Sequence, residues 1–112
     1  MFVFKKFKVY EKIHSVVPEL YAIANNHGLD KVIAYQLKRA SLSMLLNTAE
    51  GSGRKTKKDR RHFFVIARGS CFECAAILHL LEELDSKHNW NIKALSSKLD
   101  DISAMLYAIT RD

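Results

Sequence analysis

The chain has 112 residues, of which 48% are apolar and 27% charged, with a single proline. That length and composition fit one domain spanning residues 1–112 around one core, and exclude an intrinsically disordered chain, a collagen-like chain and a disulfide scaffold. The net charge of +6 is unevenly placed, at +8 over residues 31–68 and −3 over residues 69–112, so a polyanionic partner enters the argument at once.

The chain opens Met1-Phe2-Val3-Phe4-Lys5-Lys6, with apolar residues before the charges. A secretory signal has the opposite order and a longer apolar run. No stretch approaches the roughly 20 apolar residues of a membrane span. The expectation is a cytoplasmic protein with no membrane partner.

Breaks at Asn25-Asn26-His27-Gly28, Gly51-Ser52-Gly53 and Asp85 to Asn91 divide the chain into four segments with helical periodicity. The first, Phe7 to Asn25, carries Val9, Ile13, Val16, Val17, Leu20 and Ala24 at steps of three or four, and Pro18 should kink it or split off its first turns. The second runs from an N-capping Asp30 to Glu50, with Gly51 as its stop. Its apolar face holds Ile33, Leu37, Ala40 and Met44, widened by Leu42, Leu45, Leu46 and Ala49.

The third segment starts at Thr56, where Thr-Lys-Lys-Asp fits a capping box, and continues to about Leu84. Its seam is Phe63, Ala67, Ser70, Cys74, Ile77, Leu81 and Leu84. The fourth follows Asn91 with Ile92, Leu95, Leu99, Ile102, Leu106 and Ile109. Four helices with short connections predict an all-α, antiparallel up-down-up-down four-helix bundle.

Cys71 and Cys74 are the only cysteines. A lone C-x-x-C is half a zinc site and has no second ligand pair, so both read as small, buried, reduced thiols, and no metal or cofactor is expected.

Phe64, Cys71, Ala75 and Leu78 lie more than about 90° round the third helix from its seam, at about 100° per residue. Two readings stand: a core helix touching two neighbours, or a subunit interface. Gly69 and Ser70 add a small-residue site where another backbone could approach.

From Arg54 to Arg61 six of eight residues are basic: Arg54, Lys55, Lys57, Lys58, Arg60 and Arg61. A solvated surface is one explanation. Cations at a helix N-terminus oppose the macrodipole, however, so local stability would favour Asp or Glu there. Lys57, Arg61, Phe64 and Arg68 fall in one sector of about 60°, a stripe about 17 Å long. A basic stripe with an aromatic suits a phosphate backbone read without sequence preference.

Gly51-Ser52-Gly53-Arg54-Lys55-Thr56 lacks the glycine before lysine, and the preceding strand, of a nucleotide-hydrolase loop. Glu50 closes the second helix where the dipole disfavours a carboxylate, and pairing with Arg54, Arg39 or Arg61 would explain it. Glu50→Gln would then cost clearly more than a typical surface change. The five histidines form no recognisable catalytic arrangement, so no catalytic residue is assigned and an enzyme is not expected. His62 reads as a surface contact.

Gln36-Leu-Lys-Arg39-Ala40, Asn47-Thr-Ala-Glu50-Gly51-Ser-Gly53-Arg54 and Phe63-Phe-Val-Ile66-Ala67-Arg-Gly69-Ser70-Cys-Phe-Glu73 together resemble the bacterial four-helix-bundle family encoded in intervening sequences of large-subunit ribosomal RNA genes, often labelled an S-numbered ribosomal protein. The resemblance covers almost the whole chain. Pro18 and the basic density after Arg54 depart from the family pattern. The resemblance implies an antiparallel bundle assembling as a ring, typically a homopentamer, with no established enzymatic activity. It implies structural or turn roles for Arg39, Asn47, Glu50, Gly51, Gly53 and Glu73. The accessory proteins of diversity-generating retroelements look similar in fold and act with a reverse transcriptase and RNA.

The leading expectation is an oligomeric bundle binding RNA or other nucleic acid through Arg54, Lys55, Lys57, Lys58, Arg60, Arg61 and Arg68. The alternative is a scaffold docking a partner protein with an acidic surface, such as a polymerase subunit.

Overall fold

The structure is a computed structural model that describes residues 2–84 and 90–111, the side chain of Lys6 apart. A 3-10 turn, Val3–Lys6, precedes α1 (Lys8–Ala24), α2 (Lys31–Ser52), α3 (Lys57–Leu84) and α4 (Ile92–Thr110). The helices pack as a bundle of 46 × 21 × 21 Å. Each helix touches its sequence neighbours, and α1 closes the bundle against α4.

Side-chain pairs establish the antiparallel order. Lys12 reaches Asp101 at 3.8 Å and Glu19 reaches Lys98 at 3.3 Å, running α1 against α4. Gly51 at the end of α2 meets Phe64 near the start of α3. Phe7, at the start of α1, lies 6.1 Å from the Phe64 ring. The starts of α1 and α3 therefore share one end of the bundle with the ends of α2 and α4.

Local chemistry sets the helix starts. Asp30 Oδ1 accepts from the amides of Val32 and Ile33 at 2.9 and 3.0 Å, and Thr56 Oγ1 accepts from the Asp59 amide at 3.1 Å. Asn91 precedes α4 at φ 57°, a left-handed conformation that asparagine adopts more readily than most residues. The rest of the break expected from Asp85 to Asn91 lies mostly outside the described residues.

Three expectations need correcting. Of the kink or split expected at Pro18, the split does not occur, and α1 runs without a break from Lys8 to Ala24. Proline lacks only one amide, and the i−4 carbonyl it leaves without that donor belongs to exposed His14. Gly51 does not stop α2 either. The helix continues through Ser52, and Gly53 follows at φ −90°.

The core face of α2 keeps Leu37, Ala40 and Met44 but is not widened by Leu42 and Leu46 as expected. Ser41, Thr48 and Ser52 are buried, while Leu42 and Leu46 are exposed. The buried hydroxyls donate to carbonyls of their own helix, Ser41 to Lys38, Thr48 to Met44 and Ser52 to Ala49. Satisfied in this way, they bury as small residues and let α3 approach closely.

The core draws Val9, Ile13, Val16 and Leu20 from α1, Leu37 and Met44 from α2, and Leu95, Leu99, Ile102 and Leu106 from α4. It takes Phe64, Ala67, Cys71, Cys74, Leu78 and Leu81 from α3. Phe64, Cys71 and Leu78 are 3%, 1% and 0% exposed. Their assignment to a subunit interface is therefore corrected. They face α2 and α4 inside the subunit, because a helix with two packed neighbours needs a wide apolar arc. Ala75 is half-buried against the same core.

Apolar residues also occupy the outward side of α3. Val65, Gly69, Phe72, Ala76 and Leu80 step 4-3-4-4 along it and are all exposed, Phe72 by 56%. With both sides apolar, α3 is one described helix long and apolar enough to cross a bilayer, with mean hydropathy 1.6 over 18 residues. That departs from the expectation that no stretch approaches such a span.

Candidate nucleic-acid interface

The turn between α2 and α3 is built by its own arginines. Arg54 Nη2 donates to Glu50 Oε1 at 2.8 Å, and the Arg54 guanidinium lies 4.7 Å from the Phe63 ring centre. Arg60 Nε donates to the Arg54 carbonyl at 2.7 Å. Arg54 is thus both neutralised and stacked, and Glu50 has the partner that its position at a helix end called for.

Arg68 is held further along α3. Its Nε donates to the Ser103 carbonyl and hydroxyl of α4 at 3.3 and 3.2 Å, and its guanidinium lies 5.0 Å from both the Phe72 and the Tyr107 rings. It clasps α3 to α4 and lines a second cavity with Arg61, Val65 and Phe72, apart from Lys57.

The remaining charge converges. A cavity of about 480 Å3 is lined by Lys57, Lys58, Arg60 and Arg61 with Phe7, Phe64, Ile109 and Thr110. The four ionisable lining residues are all cationic, and their wall is the flank of the first turns of α3. Phe64 forms the floor, half-buried Phe7 enters from the start of α1, and Ile109 and Thr110 enter from the last turn of α4. The Thr110 hydroxyl and the Arg111 amide both donate to the Tyr107 carbonyl, satisfying an acceptor at that helix end.

Phe64 therefore serves neither a subunit contact nor an exposed base stack; its ring underlies the basic cluster. Lys55 is exposed in the turn and does not line the cavity. Sequence reasoning missed Phe7, Ile109 and Thr110. They sit at opposite ends of the chain from α3 in sequence, and only bundle closure brings them to it.

The other polar positions knit α2 to α3. Arg39 Nη2 meets Glu73 Oε2 at 3.2 Å, with Gln36 Oε1 accepting from Arg39 Nε at 3.3 Å. Asn47 donates to the carbonyl and hydroxyl of Ser43, whose hydroxyl lies 2.8 Å from that of Ser70. Gly53 donates its amide to the Glu50 carbonyl at 3.2 Å and ends the helix. Ser70 thus bonds within the subunit, and Gly69 has open space where a side chain would stand.

The two thiols belong to the core. Cys71 donates to the Leu99 carbonyl at 3.1 Å, and burial pushes its pKa up to about 11. Cys74 is pushed up to about 12, by burial first and by neighbouring Cys71 and Glu73 next. Both are free thiols. Neither is a nucleophile near neutral pH.

Comparison with known structures found two matching chains. One is a crystal structure, at 1.70 Å resolution, of a protein with unknown function from the S23 ribosomal protein family of Bacteroides thetaiotaomicron VPI-5482. It superposes with a TM-score of 0.83 at 19% identity, covering 93% of this chain and 99% of that one, which supports the bundle fold. No curated protein matches. The sequence pattern of the family described as 23S rRNA-intervening sequence protein matches residues 5–108, nearly the whole chain. With the four-helix bundle and the Arg39–Glu73 and Asn47–Gly53 features in place, this chain belongs to the family of 23S rRNA-intervening sequence proteins.

Proposed function

We propose that the protein is a non-catalytic, cytoplasmic, homo-oligomeric bundle that binds RNA or other nucleic acid with low sequence specificity through Lys57, Lys58, Arg60 and Arg61. One observation carries this reading: four cations gather round a single cavity whose ionisable lining is wholly basic. Intramolecular partners hold Arg54 and Arg68, so those two support the fold more than the ligand. Phosphate contacts of this kind are indifferent to base identity and strongly dependent on salt.

Assembly rests on separate surfaces. Tyr35, Leu42 and Leu46 of α2 are exposed, as are Val65, Phe72 and Leu80 of α3. Two different apolar faces on one subunit suit a head-to-tail contact, and such contacts close into rings, in keeping with the pentamer that the resemblance implies. The outward stripe of α3 also favours a second reading, a scaffold that docks a partner protein.

RNA binding measured by fluorescence anisotropy across salt concentrations separates the two. At about 0.7 per phosphate contact to a single strand, two to four contacts predict a log–log slope between about −1.4 and −3. The triple variant Lys57→Ala/Arg60→Ala/Arg61→Ala should lose affinity while keeping its mass in solution. A slope near zero, or unaltered affinity in that variant, sinks the nucleic-acid reading and leaves the scaffold.

A further inference from the structure

The same cavity has a shape and a charge density that a continuous strand does not explain. We infer that it receives the phosphorylated end of a nucleic-acid strand, a terminal phosphomonoester with its nucleotide, a proposal that rests on the nucleic-acid reading above.

Charge density is the first argument. Lys57, Lys58, Arg60 and Arg61 lie within five consecutive residues, about 6 Å of helix rise. At about 3.4 Å per phosphate along one strand, that length faces roughly two diester charges. Two diester charges are spread along a strand, whereas the four cations converge on one cavity. A terminal monoester carries no more total charge, but it places between one and two negative charges and three strong acceptor oxygens on a single phosphorus, and so matches a converging cluster. Arg60 has its Nε on the Arg54 carbonyl at 2.7 Å, which fixes the side chain and leaves its Nη groups for the ligand.

Shape is the second. A binding groove for a passing strand would run along one face, whereas this cavity is walled by three separate elements: α3, the start of α1 and the last turn of α4. Its volume of about 480 Å3 lies within the range of pockets for single small ligands. Beneath the cationic rim the lining is apolar, with Phe7 and Phe64 at 6.1 Å between ring centres and Ile109 opposite. A terminal base or its sugar lies against half-buried Phe7 and exposed Ile109, above the covered Phe64 ring, while the phosphate meets the rim, because an end base lacks a stacking neighbour on one side.

The test compares a short single-stranded RNA bearing a 5′-phosphate, a 3′-phosphate or no terminal phosphate, by anisotropy at one salt concentration. One phosphorylated end is expected to bind at least about fivefold more tightly than the unphosphorylated strand, the gain of roughly one net hydrogen bond. A nucleoside monophosphate should compete that preference away. Ile109→Glu, which places a carboxylate beside the cations at a position 40% exposed, should erase the preference while the helical circular dichroism signal is kept.

Equal affinity for all three strands overturns end recognition and leaves general RNA binding standing. A failure of every strand to bind overturns both. Binding of the monophosphate alone, seen as shifts of the Phe7 and Ile109 resonances, retains a phosphate pocket and overturns its strand-end role.

Discussion

Gly51, in the last turn of α2, and Phe64, in the second turn of α3, are fitted to each other: a β-carbon at position 51 would stand 2.8 Å from Phe64 Cε1 and 3.1 Å from the Phe63 β-carbon. The glycine is needed for this approach, since its φ is not positive and it lies within the helix. Phe64 in turn floors the basic cavity. A packing constraint between two helices thus shapes the candidate site.

Gly51→Ala is accordingly expected to destabilise the protein by about 1–3 kcal/mol, the cost of overpacking, although alanine is the better helix former by about 1 kcal/mol. Gly69→Ala, with nothing within 4 Å of its added carbon, should instead stabilise by up to about 1 kcal/mol. Denaturant unfolding of the two variants checks this opposition of sign. Equal effects would contradict the close contact.

Arg54 and Arg68 should separate from the cavity cations in a paired measurement of stability and RNA binding. Arg68→Ala removes the bonds to Ser103 and the stacking on Phe72 and Tyr107, and is expected to cost about 1–2 kcal/mol of stability. Lys57→Ala should leave stability nearly unchanged and lower the magnitude of the salt slope by about 0.7.

The Glu50–Arg54 pair is half-exposed and spaced i, i+4, and the Arg39–Glu73 pair between α2 and α3 is similarly exposed. Water screens both. Double-mutant cycles should give a coupling of about 0.3–1 kcal/mol for each. Glu50→Gln is therefore a milder change than the sequence led us to expect, and thermal unfolding of that variant tests the revision.

The thiols predict a one-sided pH effect. Folding raises Cys71 to about 11 and Cys74 to about 12, from an ordinary value of 9.0. Between those values the unfolded chain has released protons that the folded chain retains, so stability falls as pH rises above 9. Below pH 9 both states are protonated at these groups, and the contribution is constant. Urea titrations of the parent and of Cys71→Ala/Cys74→Ala should show the variant losing less stability between pH 9 and 11. A thiol reagent at pH 8 should label both cysteines only on the timescale of unfolding.

Assembly has its own test. Phe72→Glu and Leu46→Glu each place a charge on one exposed apolar face without touching the core. Either alone should lower the mass seen by light scattering if the two faces meet head to tail. Unchanged mass in both variants would remove these faces from the interface.

Four helices were legible in the sequence, and the starts of α2 and α3 with them, because these rest on local chemistry. Asp30 and Thr56 bond amides two or three residues away, and the three- and four-residue spacing of apolar side chains is a property of one helix at a time. The Glu50–Arg54 pair was legible for the same reason, being one turn apart. The expected seams of α2 and α3 did turn inward, with Leu37, Ala40 and Met44 and with Ala67, Ser70, Cys74 and Leu81 buried, but how far each core face extends was not legible. Ser41 and Thr48 entered the core while Leu42 and Phe72 stayed out, because the helices settle where small, internally bonded residues allow the closest packing.

The sequence by itself determined that this is a helical protein whose excess positive charge is concentrated before and along the first turns of α3. Tertiary structure decided which of those charges are held by neighbours and which line a common cavity. Glu50, Phe63, Ser103, Phe72 and Tyr107 engage Arg54 and Arg68, while Phe7 and Ile109 arrive from the two ends of the chain to complete a cavity round Lys57, Lys58, Arg60 and Arg61. A charge along a chain belongs to its residue, but the charge left for a partner depends on neighbours that only the closed bundle supplies.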